Sequence, residues 1–146
     1  MSNRIRAVAL CLLRQGNRIL VNEAHDPVKQ QTFCRPLGGG IEFGETSAQA
    51  VAREIREELG AEVKALRLLG TLENLFVYNG KPGHELVIIY DGEFADPTLY
   101  STTHLSVVES DGATFTATWR SLDEFGPELP LYPEGLAELL ARSPLQ

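Results

Sequence analysis

The feature that most narrows the fold is a helix whose two ends are both written into the chain. Thr46 is followed three residues later by Gln49, the spacing of a capping box that satisfies N–H groups orphaned by the first turn. Gly60 stands where a left-handed C-terminal cap is wanted. A helix is therefore expected over Ser47–Leu59, roughly 20 Å long at ~1.5 Å per residue. Directly in front of it, residues 33–44 are dense in glycine and aromatics and read as a strand entering a tight loop.

The remainder is mostly strand-like. Residues 5–13 and 18–24 are apolar runs separated by Gln15-Gly16-Asn17, which reads as a hairpin. Residues 25–31 read as a loop, 62–78 as one or two strands, and 79–83 as a turn. A buried strand core follows at 86–90, continuing unevenly to 94. Residues 95–112 mix Pro, Ser, Thr and His without period and read as a long loop. Residues 114–119 alternate as a strand, 121–124 read as a turn or short helix, and 127–133 as a connector. Leu136, Leu139 and Leu140 mark a terminal amphipathic helix. No repeat or low-complexity tract interrupts the 146 residues, so one domain over 1–146 is expected, large enough to bury a core unaided. Strands around one strong helix, with a second at the end, read as α+β or a three-layer α/β/α arrangement.

Composition excludes several classes. Charged residues at 23% and hydrophobic ones at 43% describe an ordinary globular chain. Cys11 and Cys34 cannot build a disulfide scaffold and read as small core residues of a reducing, cytoplasmic compartment. The apolar stretch after Arg4 and Arg6 is too short for a membrane span and lacks a cleavage site. A net charge of −7 disfavours a nucleic-acid partner held by its phosphates. A phosphate-handling protein of that charge needs another source of positive charge, such as a divalent metal.

On a helical wheel, Ala48, Val51, Ala52, Ile55 and Leu59 form a stripe expected to face the sheet. Glu54, Glu57 and Glu58 gather on another, where neighbouring carboxylates repel. Arg53 and Arg56 flank this cluster without interspersing it. On the helix alone two readings stand: a solvated acidic face, or a site for Mg²⁺ or Mn²⁺, which take hard carboxylate oxygens.

The segment in front adds to this. Gly39, five residues, Glu45, seven residues, then Arg53-Glu54-Ile55-Arg56-Glu57-Glu58-Leu59-Gly60-Ala61 resembles the Nudix box, G-x5-E-x7-R-E-U-x-E-E-x-G-U with U aliphatic. Seven specified residues at ~7% usage each arise by chance on the order of 10⁻⁸ per start position. Two departures are minor: Ala61 replaces a larger aliphatic residue, and Leu37 stands within the usual Pro-Gly-Gly. Neither removes a carboxylate.

The resemblance implies an α/β/α sandwich with a mixed sheet, the box forming a loop–helix–loop, and a C-terminal helix. It also implies a divalent-metal-dependent hydrolase. Its substrate would be the pyrophosphate link of a nucleoside diphosphate joined to another group: a nucleotide sugar, ADP-ribose, a dinucleoside polyphosphate or a nucleoside triphosphate. By position, Glu57 and Glu58 are implied metal ligands, Glu54 a ligand or water-activating base, and the Gly39 carbonyl a further ligand. Arg53 is the implied partner that orients Glu45 or a ligand carboxylate. An additional carboxylate from outside the box is expected at Glu109, or at Glu85 as the second candidate. Arg35 and Lys81 are the candidate phosphate contacts, and Phe76, Tyr78 and Tyr100 the candidate base-stacking aromatics. A homodimer is compatible with the family; no interface is legible.

Other chemistries lack their residues. His25, His84 and His104 have no zinc spacing, and there is no Gly-x-Ser-x-Gly elbow. Glu45 after Gly44 excludes a Walker A loop. The rivals are a non-catalytic nucleotide or ADP-ribose sensor, a diphosphate isomerase on the same fold, and an acidic helix that docks a basic partner.

Overall fold

The computed structural model describes residues 3–109 and 111–143. Its strands are β1 (Ile5–Gln15), β2 (Arg18–Asp26), β3 (Gln31–Gly40), β4 (Val63–Tyr78), β5 (Lys81–Phe94), β6 (His104–Val108) and β7 (Thr114–Ser121). Helix α1 (Ser47–Leu59) lies between β3 and β4, and α2 (Leu136–Ala141) follows β7. The sheet order is β4-β5-β1-β3-β2-β7-β6, with β1 and β5 parallel and the other pairs antiparallel. The mixed α/β sheet is therefore present as expected.

Strand β1 fixes the layers. Its near-continuous apolar run is buried on both faces, the signature of a strand covered on each side. Ala9, Cys11 and Leu13 share a core with Val51 and Ile55 of α1. Val8, Leu10 and Leu12 share another with Leu136, Leu139 and Leu140 of α2. Both thiols are free and buried, and burial lifts Cys11 to about 12 and Cys34 to about 11.

Strand β3 joins two halves of the sheet: residues 37–40 pair with β1, residues 31–36 with β2. The expected β1–β2 hairpin is real but opens at once, pairing only Arg14 with Ile19 and Gln15 with Arg18. Gly38 makes the close β1–β3 approach feasible. A Cβ there would lie 2.1 Å from the Ala9 carbonyl oxygen, and its φ is +146°.

Helix α1 forms over the expected residues with the Thr46/Gln49 box closed in both directions and Gly60 left-handed. Its buried face differs: Ala50 and Glu58 are inside with Val51 and Ile55, whereas Ala48, Ala52 and Leu59 are only half-buried. Side-chain-free Gly39 lets the helix press on β3, so the Glu54 carboxyl occupies the place of a missing Cβ, 2.6 Å from where it would stand.

Three loop readings need correction. Within 95–112 the chain forms a 3-10 turn, Pro97–Ser101, and strand β6. Only Leu105 and Val107 of β6 point inward, too few to give a period; pairing with β7 makes the strand. The turn at 79–83 contracts to Asn79-Gly80, both at positive φ, and Lys81 to Gly83 continue the ladder opposite Phe76 to Tyr78. His25 and Asp26, read as loop, complete β2. Among the described residues no helix is long and apolar enough to cross a membrane.

Candidate active site

Arg53, in the second turn of α1, organises the loop before it. Its Nη2 donates to Glu45 Oε1 at 2.7 Å and to the Gly40 carbonyl at 3.0 Å. Its Nε donates to Glu45 Oε2 at 3.1 Å. The fork expected of Arg53 on Glu45 is thus formed, and it holds the Glu45 carboxyl below its ordinary range. Glu45 Oε1 also accepts the Glu42 N–H at 2.9 Å, which closes the loop on itself.

The same guanidinium also reaches into the acidic cluster, so it contacts both Glu45 and the carboxylates implied as ligands. Its Nη1 donates to Glu54 at 3.0 Å and Glu57 at 3.2 Å. Arg56 points away, to Glu62 at 2.8 Å. Glu57 remains exposed, so one guanidinium balances two of the three carboxylates.

Glu58 stands apart. It is 6% exposed, and its Oε1 is buried with no hydrogen-bond partner. Burial first, then repulsion by Glu54 and Glu109, pushes its carboxyl up to about 8, against the opposing Gly38 N–H. A solvated acidic face does not account for a glutamate in that position. Glu109, just past β6, faces the same place: burial, Asp111 and Glu54 raise its carboxyl too.

Among the described residues no three His, Cys, Asp or Glu side chains already form a cage for a metal ion. The donor chemistry still fits a hard divalent cation. Glu58 offers an orphaned buried oxygen, Glu54 lies on Gly39, and all the donors are oxygen.

Glu109 also lines a cleft of about 760 Å³, whose lining includes none of Gly39, Glu45, Arg53, Glu54, Glu57 and Glu58. Both halves of the sheet line it: Arg6, Phe76 and Glu85 from one, Asn22, Phe33 and Arg35 from the other, with Glu109 at the box side. Arg35 and Tyr78 are in the lining as expected, and the Tyr78 hydroxyl donates to the His25 carbonyl at 3.2 Å. Lys81 is not: register with Tyr78 leaves it exposed at the outer end of the β4–β5 hairpin. Tyr100 is not either, because it is packed on Phe94 and Trp119, 5.5 and 5.6 Å between ring centres. Phe76 packs against Gly83, where a Cβ would come within 2.3 Å of the ring. Glu85 is buried and bound by Arg35 and Arg6.

Sequence reasoning missed Arg6, Asn22, Phe33 and Tyr132 in this lining. Arg6 and Glu85 are 79 positions apart and meet only through the parallel β1–β5 register. Nothing local in the sequence signals that.

The family model for the NUDIX domain matches residues 3–142. This chain belongs to the Nudix family. Its Nudix box is the Arg53-locked loop and helix described above. The Nudix chain is 34% identical over 119 residues to the NAD-capped RNA hydrolase NudC of Haemophilus influenzae (strain PittGG), covering 81% of itself and 40% of that protein. It therefore spans about two fifths of the length of that curated relative. Its fold matches the MutT NUDIX hydrolase from Burkholderia pseudomallei with a TM-score of 0.65 at 24% identity, covering 94% of this chain and 97% of the other. An ADP-ribose pyrophosphatase from Streptococcus suis 89-1591 matches with a TM-score of 0.58 at 18% identity, covering 93% and 87%. The name of the Haemophilus influenzae relative sets a nucleic acid in its substrate, so the net charge of −7 is not by itself an argument against a nucleic-acid partner for this chain.

Proposed function

We propose that this Nudix domain hydrolyses the P–O–P link of a nucleoside diphosphate joined to a second group, with Mg²⁺ or Mn²⁺ as cofactor. The observation that carries this reading is Glu58: a buried carboxylate oxygen without a partner, near Glu54 on helix α1, behind a loop that Arg53 ties to the helix. A bound divalent cation supplies neutralisation of phosphate charge and a lowered pKa for its water. Glu58, Glu57, Glu54 and the Gly39 carbonyl would hold it. Arg53 and Glu45 keep the loop in shape for that task. Glu109, near Glu58 and Glu54, takes the proton of the attacking water; water oxygen bonds to one phosphorus as the bridging P–O bond breaks, releasing a nucleotide and the phosphorylated second group, or inorganic phosphate or pyrophosphate from a triphosphate. The two buried free thiols support a reducing, cytoplasmic setting.

The substrate panel follows from the family and the relatives' names: ADP-ribose, NAD, NAD-capped RNA, a nucleotide sugar, a dinucleoside polyphosphate and a nucleoside triphosphate. Each is incubated with Mg²⁺ or Mn²⁺ and the products are identified by mass. The reading expects metal-dependent cleavage between the phosphorus atoms of at least one. Binding without cleavage across the panel would overturn it in favour of a nucleotide or ADP-ribose sensor. Glu109→Gln should then lower the turnover rate by about 100-fold, the usual scale of general-base loss; an unchanged rate would move that role to Glu54.

A further inference from the structure

The charge in the cleft is arranged unusually for so acidic a chain. Glu85 is 3% exposed, yet it sits at the wall of an open cleft and carries two guanidinium groups. Arg35 Nη2 donates to its Oε1 at 2.9 Å, and Arg6 Nη1 to its Oε2 at 3.4 Å. Two cations on one carboxylate leave the trio with one surplus positive charge. Each arginine brings five donors, and these bonds use one from each. The side chains keep 31% and 52% of their surface open.

The arginines of the box are engaged elsewhere and do not line the cleft. Arg53 spends its donors on Glu45, Glu54, Glu57 and Gly40, and Arg56 is turned to Glu62. Arg6 also has the position for contact with a bound diphosphate. Its Nη2 lies 3.1 Å from where a Gly40 Cβ would stand, next to the Gly39 that lies under Glu54. The trio therefore spans from the box loop into the cleft.

We propose that Arg35 and Arg6 grip the nucleotide-side phosphate of the substrate, and that Glu85 is a positioning residue that aims both forks at it. This deepens the proposed hydrolase reading and rests on it for the identity of the ligand. A planar, bidentate donor suits a phosphate oxygen pair, which lysine does not match. Glu85 holds the two forks in place before the ligand arrives, so less side-chain freedom is lost on binding.

The test compares AMP with adenosine, two ligands that differ by one phosphate, by calorimetry on the wild-type chain and on Arg35→Ala, Arg6→Ala, Arg35→Lys and Glu85→Gln. AMP should bind the wild type about tenfold or more tighter than adenosine, the worth of one charge-assisted contact. That ratio should fall toward one in both alanine variants, fall in Glu85→Gln, and recover only partly in Arg35→Lys. Adenosine affinity should hardly move, which a merely structural role would not produce. For a cleaved panel substrate, KM should rise in the alanine variants while kcat changes by less than about threefold. Equal AMP and adenosine affinities in the wild type, or an unchanged ratio in Arg35→Ala and Arg6→Ala, would overturn the clamp. Both arginines are partly exposed, so their variants carry the test even if Glu85→Gln fails to fold. A wild type that prefers AMP but cleaves nothing would instead overturn the hydrolase reading alone.

Discussion

At Glu58 the fold takes a carboxylate out of water and leaves one of its oxygens unpaired. That arrangement has a stability cost with a definite sign. The carboxyl is raised from its ordinary range to about 8, so the folded chain holds this proton more tightly than the unfolded one. The metal-free protein therefore loses stability as pH rises through the ordinary carboxyl range and on through about 8. In chelator, melting temperature should fall from about pH 5 to about pH 8 more steeply for the wild type than for Glu58→Gln, and saturating Mg²⁺ should remove the difference. Parallel melting curves in chelator would contradict it. The same variant should lose turnover by about 100-fold or more, since even an outer partner at a metal site costs 10–100-fold. Arg53 gives the second residue-level prediction. Lysine cannot hold Glu45, Glu54, Glu57 and Gly40 together, so Arg53→Lys should lower kcat by about 10–100-fold although charge is kept. A variant with wild-type kcat would show that the network has no part in turnover.

Among the elements, α1 and β3 carry the geometry that brings those residues together. The Thr46/Gln49 box satisfies N–H groups at the start of α1. Thr46→Ala should cost about 1 kcal/mol, read by urea unfolding. At Gly38 a methyl group would meet the Ala9 carbonyl at 2.1 Å in a backbone conformation that side chains avoid. Gly38→Ala should therefore cost at least about 2 kcal/mol and weaken the β1–β3 ladder, read by the same melts and by amide exchange in β1. A loss below about 0.5 kcal/mol would mean the strand pair relaxes around the methyl. The capped helix was legible because its signals are local: a hydroxyl, an amide and a glycine at fixed offsets. Strand β6 was not, because its two inward residues gain meaning only against β7. The buried face of α1 was half legible. Apolar Val51 and Ile55 marked it, but the wheel set Glu58 on a separate acidic stripe whose exposure it left open, and tertiary packing buries it.

Over the whole molecule, the Nudix box was readable in one segment, whereas the cleft draws on residues from β1, β2, β3, β4 and β5. Arg35, Tyr78 and Glu109 were found because they lie near recognisable features; Arg6 and Phe33 had no such marker, and Lys81 and Tyr100 fell outside through register and core packing. Charge ties these scales together. A chain of net charge −7 buries Glu58 near Glu54 and Glu109 and gives the cluster a single arginine, and the proposed divalent-cation site rests on that uncompensated charge. Calorimetric titration of Mn²⁺ into the wild type and into Glu58→Gln tests that directly. The account expects saturable binding to the wild type and affinity lower by about tenfold or more in the variant. Equal affinities, or a wild type that binds no Mn²⁺, would contradict it.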